Sequence, residues 1–142
     1  MSLTNFGGLL GFALEMEKRN AAFFAEAAAC FEPDKPLLDG LAKESGLRAK
    51  EIERTRRENV TEMILENLDA FDETPFVRNP GPPREMAREE ILSTARDLLN
   101  RSLRYYEEAG LILKRLPEVA QAFIGLAKKS RRDVGRLADL GI

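Results

Sequence analysis

The chain has 142 residues, of which 44% are hydrophobic and 32% charged, and its 22 basic and 24 acidic side chains give a net charge of −2. This composition is typical of a single folded domain, here 1–142, and excludes a disordered chain. The small net charge argues against nucleic-acid binding, and no apolar run is long enough to span a membrane.

The chain contains one cysteine and no histidine. A single cysteine cannot form an intramolecular disulfide, which fits a reducing cytoplasm, and we expect a cytoplasmic protein. Cys30 is predicted to be a small buried residue near the end of the first helix.

The first half of the chain has the three- and four-residue apolar spacing of helices. Helix one is predicted from about Thr4, as its N-cap, to Phe31, because Pro33 and Pro36 follow. Helix two is predicted from about Lys35 to 70. Its apolar stripe ends with Met63, Ile64 and Leu68.

The second half begins after a proline-rich segment, about 72–84, that cannot continue a helix. Helix three is predicted from about Pro83 to Lys114, and helix four from Pro117 to about Leu140. Strand-like alternation is not apparent. The pattern predicts an all-α fold, a four-helix bundle of two antiparallel hairpins joined by one long crossover.

The two halves resemble each other. The segment 41–48 (Leu-Ala-Lys-Glu-Ser-Gly-Leu-Arg) recurs, altered, 85 positions later at 126–133. The aromatic pair Phe23-Phe24 recurs 82 positions later as Tyr105-Tyr106. A repeated helical pair of this kind predicts equivalent positions at the centre of the bundle.

Polar residues interrupt the inward-facing apolar stripes near the middle of the helices. Glu17 follows Ala13 by four residues and precedes Phe24 by seven. By the same spacing we expect a bundle-centre polar network of Glu17, Ser45, Arg48, Ser130 and Asp133, with Leu99 at the equivalent position of helix three. A buried carboxylate needs a partner, so we expect Arg48 to lie between Glu17 and Asp133, with both serines hydrogen-bonded to the carboxylates.

In this layout the chain resembles the rubrerythrin branch of the ferritin-like superfamily. The resemblance lies in Met16-Glu17-Lys18 followed by Phe23-Phe24, in Tyr105-Tyr106, and in 41–48 and 126–133. It implies a ferritin-like bundle in which two glutamates and two Glu-x-x-His motifs would hold two irons.

Most of the implied iron ligands are replaced. Glu17 is retained, whereas Leu99 stands at the second glutamate, and the two Glu-x-x-His motifs become Ser45 to Arg48 and Ser130 to Asp133. We therefore expect no cofactor. Glu44 lies one residue, or about 100°, out of register and is expected to pair with Arg48 or solvent. If a metal such as iron or manganese binds, Glu17, Asp133 and Glu44 are the candidate ligands.

Three functions follow from these residues. The first is a non-catalytic bundle that acts through protein contacts as a homodimer, with no nucleic-acid or membrane partner. The second is a residual metal-dependent, di-iron type oxidoreductase. The third is a bundle that binds an anion or small ligand at Arg48. We favour the first because it requires no ligand that the sequence lacks.

Overall fold

The computed structural model describes residues 2–59 and 67–140, with only the backbone at 2–4 and 67–70. Its strands and α-helices are β1 (Ser2–Asn5), α1 (Phe6–Cys30), α2 (Lys35–Glu58), β2 (Asn67–Asp72), α3 (Arg88–Ile112) and α4 (Pro117–Ala138). Four 3₁₀ helices of three residues each lie between them at Glu32–Asp34, Thr74–Phe76, Pro83–Glu85 and Leu113–Arg115. The prediction of an all-helical protein with four main helices is confirmed at this level, with α1 packed against α2 and α3 against α4.

The apolar core forms two clusters, one at each end of the helices. The first takes Phe6 to Leu14 from α1 and Tyr105 to Ala109 from α3, together with Ile52, Phe123 and their neighbours. The second takes Phe23 to Ala28 from α1 and Ile91 to Leu99 from α3, together with Leu38, Leu41 and Leu137. Each helix therefore leaves a gap between its contributions to the two clusters. Seven buried polar residues occupy these gaps: Glu17, Asn20, Ser45, Arg48, Ser102, Ser130 and Asp133.

The two strands show that the predicted start of helix one and the predicted end of helix two were wrong. Helix two was predicted to reach 70 but ends at Glu58, and Asn67–Asp72 pairs with Ser2–Asn5 as an antiparallel strand. Thr4 is part of β1, so the N-cap of α1 is Asn5, whose side chain accepts a hydrogen bond from the Gly8 amide at 2.6 Å. Strand pairing over such a sequence distance depends on tertiary contact, which local periodicity does not record.

The other boundaries lie close to those predicted. Pro117 begins α4 as expected, whereas α3 begins at Arg88 because Pro83–Glu85 is a separate 3₁₀ turn. Cys30 was predicted to be buried but is exposed. It lies two residues beyond the core residue Ala28, which places it on the outer face of α1.

The described residues include no helix that is both long enough and apolar enough to cross a membrane. Met63 and Ile64 of the predicted apolar stripe lie outside the residues described, as does the side chain of Leu68.

Candidate functional site

Arg48 is at the centre of the polar layer and is among the largest fully buried side chains, with 1% of its surface exposed. Its Nε donates to Glu17 Oε2 at 2.8 Å, and its Nη1 donates to Asp133 Oδ2 at 2.7 Å. Its Nη2 donates to Ser45 Oγ on its own helix at 3.2 Å. The predicted ion network therefore forms, with one guanidinium joining carboxylates from α1 and α4.

The sequence places these groups by helical spacing. Ser45 and Arg48 lie four and seven residues beyond the core residue Leu41, and Asp133 lies four before the core residue Leu137. Positions at these spacings share one helix face, so the face that packs into the core also carries the ions. Leu99 is fully buried at the predicted equivalent of Glu17.

Among the described residues neither serine bonds to a carboxylate, contrary to the prediction. Ser45 accepts from Arg48 instead. Ser130 departs further from the prediction. It is fully buried, but its Oγ has no hydrogen-bond partner in the described part of the chain. Asp133, to which it was expected to bond, directs Oδ2 to Arg48 and has Oδ1 at 3.7 Å from Arg136 Nη1. Each oxygen of the Asp133 carboxylate therefore lies near an arginine.

Tyr106 is a member of the network that the sequence analysis missed. Its hydroxyl donates to Glu17 Oε2, the same oxygen that accepts from Arg48 Nε. The sequence pattern assigned Tyr105-Tyr106 only to the repeat and the family resemblance, and both rings pack in the first apolar cluster. A buried tyrosine can both pack in the core and form a hydrogen bond, because its ring is apolar and its hydroxyl is polar.

Burial and charge act in opposite directions on the ionisable groups. Burial raises the pKa of Glu17 above its ordinary value of 4.5, although Arg48 and the Tyr106 hydroxyl lower it in part. Burial likewise raises the pKa of Asp133, against the effect of Arg48, and the nearby charge of Glu44 adds to the rise. Burial alone would lower the pKa of Arg48, but Glu17 and Asp133 more than compensate and raise it. Arg48 is thus permanently cationic, and it lies between two carboxyl groups whose pKa values burial raises.

The raised carboxyl pKa values predict a specific pH dependence of stability. A carboxyl group whose pKa is higher in the folded state stabilises the fold fully below its unfolded pKa, near 4.5 for Glu17, and loses that contribution as pH rises through the folded pKa. Glu17→Gln removes the titration while keeping an oxygen acceptor. We therefore expect the stability of Glu17→Gln relative to the wild type to increase as pH rises from about 4.5.

Urea unfolding of both proteins at a series of pH values above 4.5 measures this difference. Glu89→Gln, at an exposed position of α3, is the control and should follow the wild type. A difference between Glu17→Gln and the wild type that stays constant with pH would contradict the raised pKa.

The residues present do not fit a di-iron site. The position between Glu17 and Asp133 is filled by the Arg48 guanidinium, a fixed positive charge at the place where a cation would bind. Glu44, the third candidate ligand, forms no ion pair with Arg48 among the described residues, and these residues bring together no group of three His, Cys, Asp or Glu side chains. An anion is also poorly matched, because it would meet the two carboxylates around Arg48.

A second buried polar contact links α1 and α3. Asn20 Nδ2 donates to Ser102 Oγ at 2.9 Å, and the Ser102 hydroxyl donates to the Leu98 carbonyl at 3.1 Å. Asn20 and Ser102 are 82 positions apart, the same offset as the aromatic pairs. That shared offset was the signal that could have identified Asn20 and Ser102 from the sequence as a pair of equivalent residues in contact.

The basic run 128–132 is partly neutralised within the fold. Lys129 Nζ bonds to Glu51 Oε2 at 2.8 Å, and Arg131 Nη2 bonds to Glu107 Oε2 at 2.9 Å. The run thus contributes contacts from α4 to α2 and α3.

Comparison of the chain with family models, with curated proteins and with solved structures returned no match. The case for any function therefore depends on the residues and geometry described above.

Proposed function

We propose that this chain is a non-catalytic, ferritin-like bundle of rubrerythrin type, in which an ion network replaces the di-iron site. The observation that carries the proposal is the position of Arg48, hydrogen-bonded to Glu17 and Asp133 at the bundle centre. A guanidinium held by two carboxylates takes the place of a metal as the positive charge that balances them. The bundle keeps a polar centre and has no metal chemistry.

The order of the core clusters supports two antiparallel hairpins with a long crossover. Along the chain, α1 passes from the first cluster to the second, and α2 returns from Leu38 in the second to Ile52 in the first. The same order is repeated in reverse by α3 and α4, so the segment between α2 and α3 has to travel the length of the bundle. This is the connectivity of ferritin-like folds.

Contacts between residues at equivalent positions of the two halves support the internal repeat. Arg48 and Asp133 are 85 positions apart, and Asn20 and Ser102 are 82 positions apart. These are the two offsets that relate the halves of the sequence. Equivalent residues meet in this way when two similar hairpins are related by a twofold axis through the bundle centre.

We propose further that the bundle acts through protein contacts, as a homodimer. Leu111 on α3 and Ile124 on α4 are 73% and 59% exposed. Glu107 and Arg131, which bond to each other, lie four residues before Leu111 and seven after Ile124, on the same helix faces. A face with apolar side chains and both signs of charge can pair with its own copy about a twofold axis.

Metal analysis tests the loss of the di-iron site. The untagged protein, expressed in medium supplemented with iron and manganese, is expected to contain almost no metal by mass spectrometry. A stoichiometric metal content that is lost in Glu17→Ala would overturn the proposal and favour the oxidoreductase.

Light scattering tests the dimer separately. The expected mass is twice the 15.9 kDa of one chain. Ile124→Lys should shift the protein toward monomer, whereas Leu47→Lys, at an exposed position of α2, should not. A monomeric wild type would refute the dimer and leave the result of the metal analysis unaffected.

A further inference from the structure

A cleft of about 470 Å³ lies between α1, α3 and the segment 73–79 that follows β2. We call it the crossover cleft. Its apolar wall includes Gly11, Phe12, Met16, Phe76, Val77 and Leu98. A cleft of this size and lining suits a small, mostly apolar molecule. It is separate from the Arg48 network, none of whose members lines it.

The cleft is open partly because of a glycine. A side chain started at Gly11 would find no atom within 4 Å of its Cβ. Glycine in the interior of a helix destabilises the helix by about 0.5–1 kcal/mol relative to alanine. Gly11 therefore leaves space at the wall of the cleft at a cost to the helix.

Glu73 is the buried charged residue of the cleft. It is 7% exposed, and its Oε2 has no hydrogen-bond partner in the part of the chain that the structure describes. Its backbone carbonyl accepts from the Phe76 amide at 2.9 Å, which fixes Glu73 at the start of the turn Thr74–Phe76. A buried carboxylate without a partner is costly, and a donor group entering the cleft would relieve this cost.

Asn20 lines the cleft from α1 and is 2% exposed. The only hydrogen of the Ser102 hydroxyl is donated to Leu98, so Ser102 Oγ must accept from Asn20 Nδ2. The amide nitrogen therefore faces Ser102, and the acceptor Oδ1 is on the opposite side of the amide. Both buried polar side chains of the cleft, Glu73 and Asn20, thus offer acceptors.

The arginines at the cleft are held by other groups. Arg78 and Arg101 both donate to Asp97 Oδ2, at 2.8 and 3.0 Å, and Arg19 donates to Asn79 Oδ1 at 2.9 Å. Glu73, by contrast, takes part in no salt bridge among the described residues. Arg78 and Arg101 share one aspartate, and Arg19 is bonded to a neutral amide. Glu73 is therefore the buried charged residue of the cleft that has no side-chain partner among the described residues.

We propose that the crossover cleft binds a small apolar molecule with a cationic amino group, whose ammonium donates to Glu73 and whose hydrocarbon contacts Phe12, Met16 and Phe76. An ammonium has three donors and no acceptor, which matches the acceptors of Glu73 and Asn20. Its charge-assisted hydrogen bond to a shielded carboxylate is stronger than one from a neutral group.

The test titrates the whole, isotope-labelled protein with hexylammonium, hexanol and hexanoate and follows the amide resonances of Gly8 and Gly11, two residues that line the cleft. Hexylammonium is expected to bind about tenfold or more tightly than hexanol, from one charge-assisted hydrogen bond. Hexanoate is expected to be the weakest ligand because it would face the Glu73 carboxylate.

Two variants locate the site. Glu73→Gln should weaken hexylammonium about tenfold and leave hexanol unchanged, whereas Glu90→Gln, exposed on α3, should affect neither. Gly11→Leu should block both ligands by filling the cleft, whereas Gly125→Leu on α4 should not, although an added Cβ meets nothing within 4 Å at either glycine. Hexanoate binding more tightly than hexylammonium, unchanged hexylammonium affinity in Glu73→Gln, or no shift at either glycine amide with any probe would overturn the proposal.

Discussion

Arg48→Met is expected to lower the free energy of unfolding by about 3–5 kcal/mol, the range for breaking a buried ion pair by removing one partner. Methionine keeps an unbranched apolar chain in place of the arginine stem, so the change removes the guanidinium and its charge while retaining part of the packing. Glu17 and Asp133, which are 0% and 3% exposed, would then lie close together in the core with no cation between them. Urea denaturation at neutral pH measures the loss.

Arg54→Met is the matched control. Arg54 also forms a salt bridge with a glutamate, Glu58, but its side chain is 62% exposed and lies on α2, away from the proposed dimer face. An exposed ion pair contributes about 0–1 kcal/mol, so this variant should be nearly as stable as the wild type. Equal losses in the two variants would contradict a network in which burial gives Arg48 its importance.

An apolar replacement of the whole network should recover the stability that Arg48→Met loses. We expect the combination Glu17→Met, Arg48→Met, Asp133→Leu and Tyr106→Phe to be as stable as the wild type or about 1–4 kcal/mol more stable, since well-packed apolar groups avoid the desolvation of buried ions. Tyr106→Phe is included because its hydroxyl would otherwise lose Glu17 as acceptor. The hydroxyls of Ser45 and Ser130 can donate to carbonyls one turn earlier in their own helices.

The combined variant distinguishes two reasons for keeping the ions. Recovery of stability in calorimetry, together with a mass by light scattering equal to that of the wild type, would show that the network contributes little net stability to the fold. A combined variant as unstable as Arg48→Met would contradict this and indicate that the ions are needed to align the four helices.

The ion network at the centre of the bundle was predictable because a buried charged residue requires a partner of opposite charge. Glu17, Arg48 and Asp133 each interrupt an apolar stripe at a core-facing position, and the sequence holds the charges that can neutralise one another there. Helical spacing shows that each of these residues lies on the core-facing side of its helix. The free-energy cost of an unpaired buried charge then indicates that a residue of opposite charge lies beside it. Ser130 shows the limit of this reasoning: its inward position was right, but its hydrogen bond was not formed.

Contacts between residues that are far apart in the sequence could not be predicted from spacing along one helix. Tyr106 is 89 positions from Glu17, and its hydroxyl reaches the carboxylate only because α1 and α3 pack side by side. The crossover cleft has the same origin, since Glu73, Asn20 and Gly11 have no common local pattern.

The sequence by itself determined the helical class, the proline-rich segment between the second and third helices and the buried ions, since each depends on spacing along one helix or on the composition of one segment. Tertiary structure decided the strand pairing of Ser2–Asn5 with Asn67–Asp72, the end of α2 at Glu58 and the acceptors of the crossover cleft. Local periodicity cannot supply these features, because a strand at the edge of a bundle gains its stability from backbone hydrogen bonds to a distant segment.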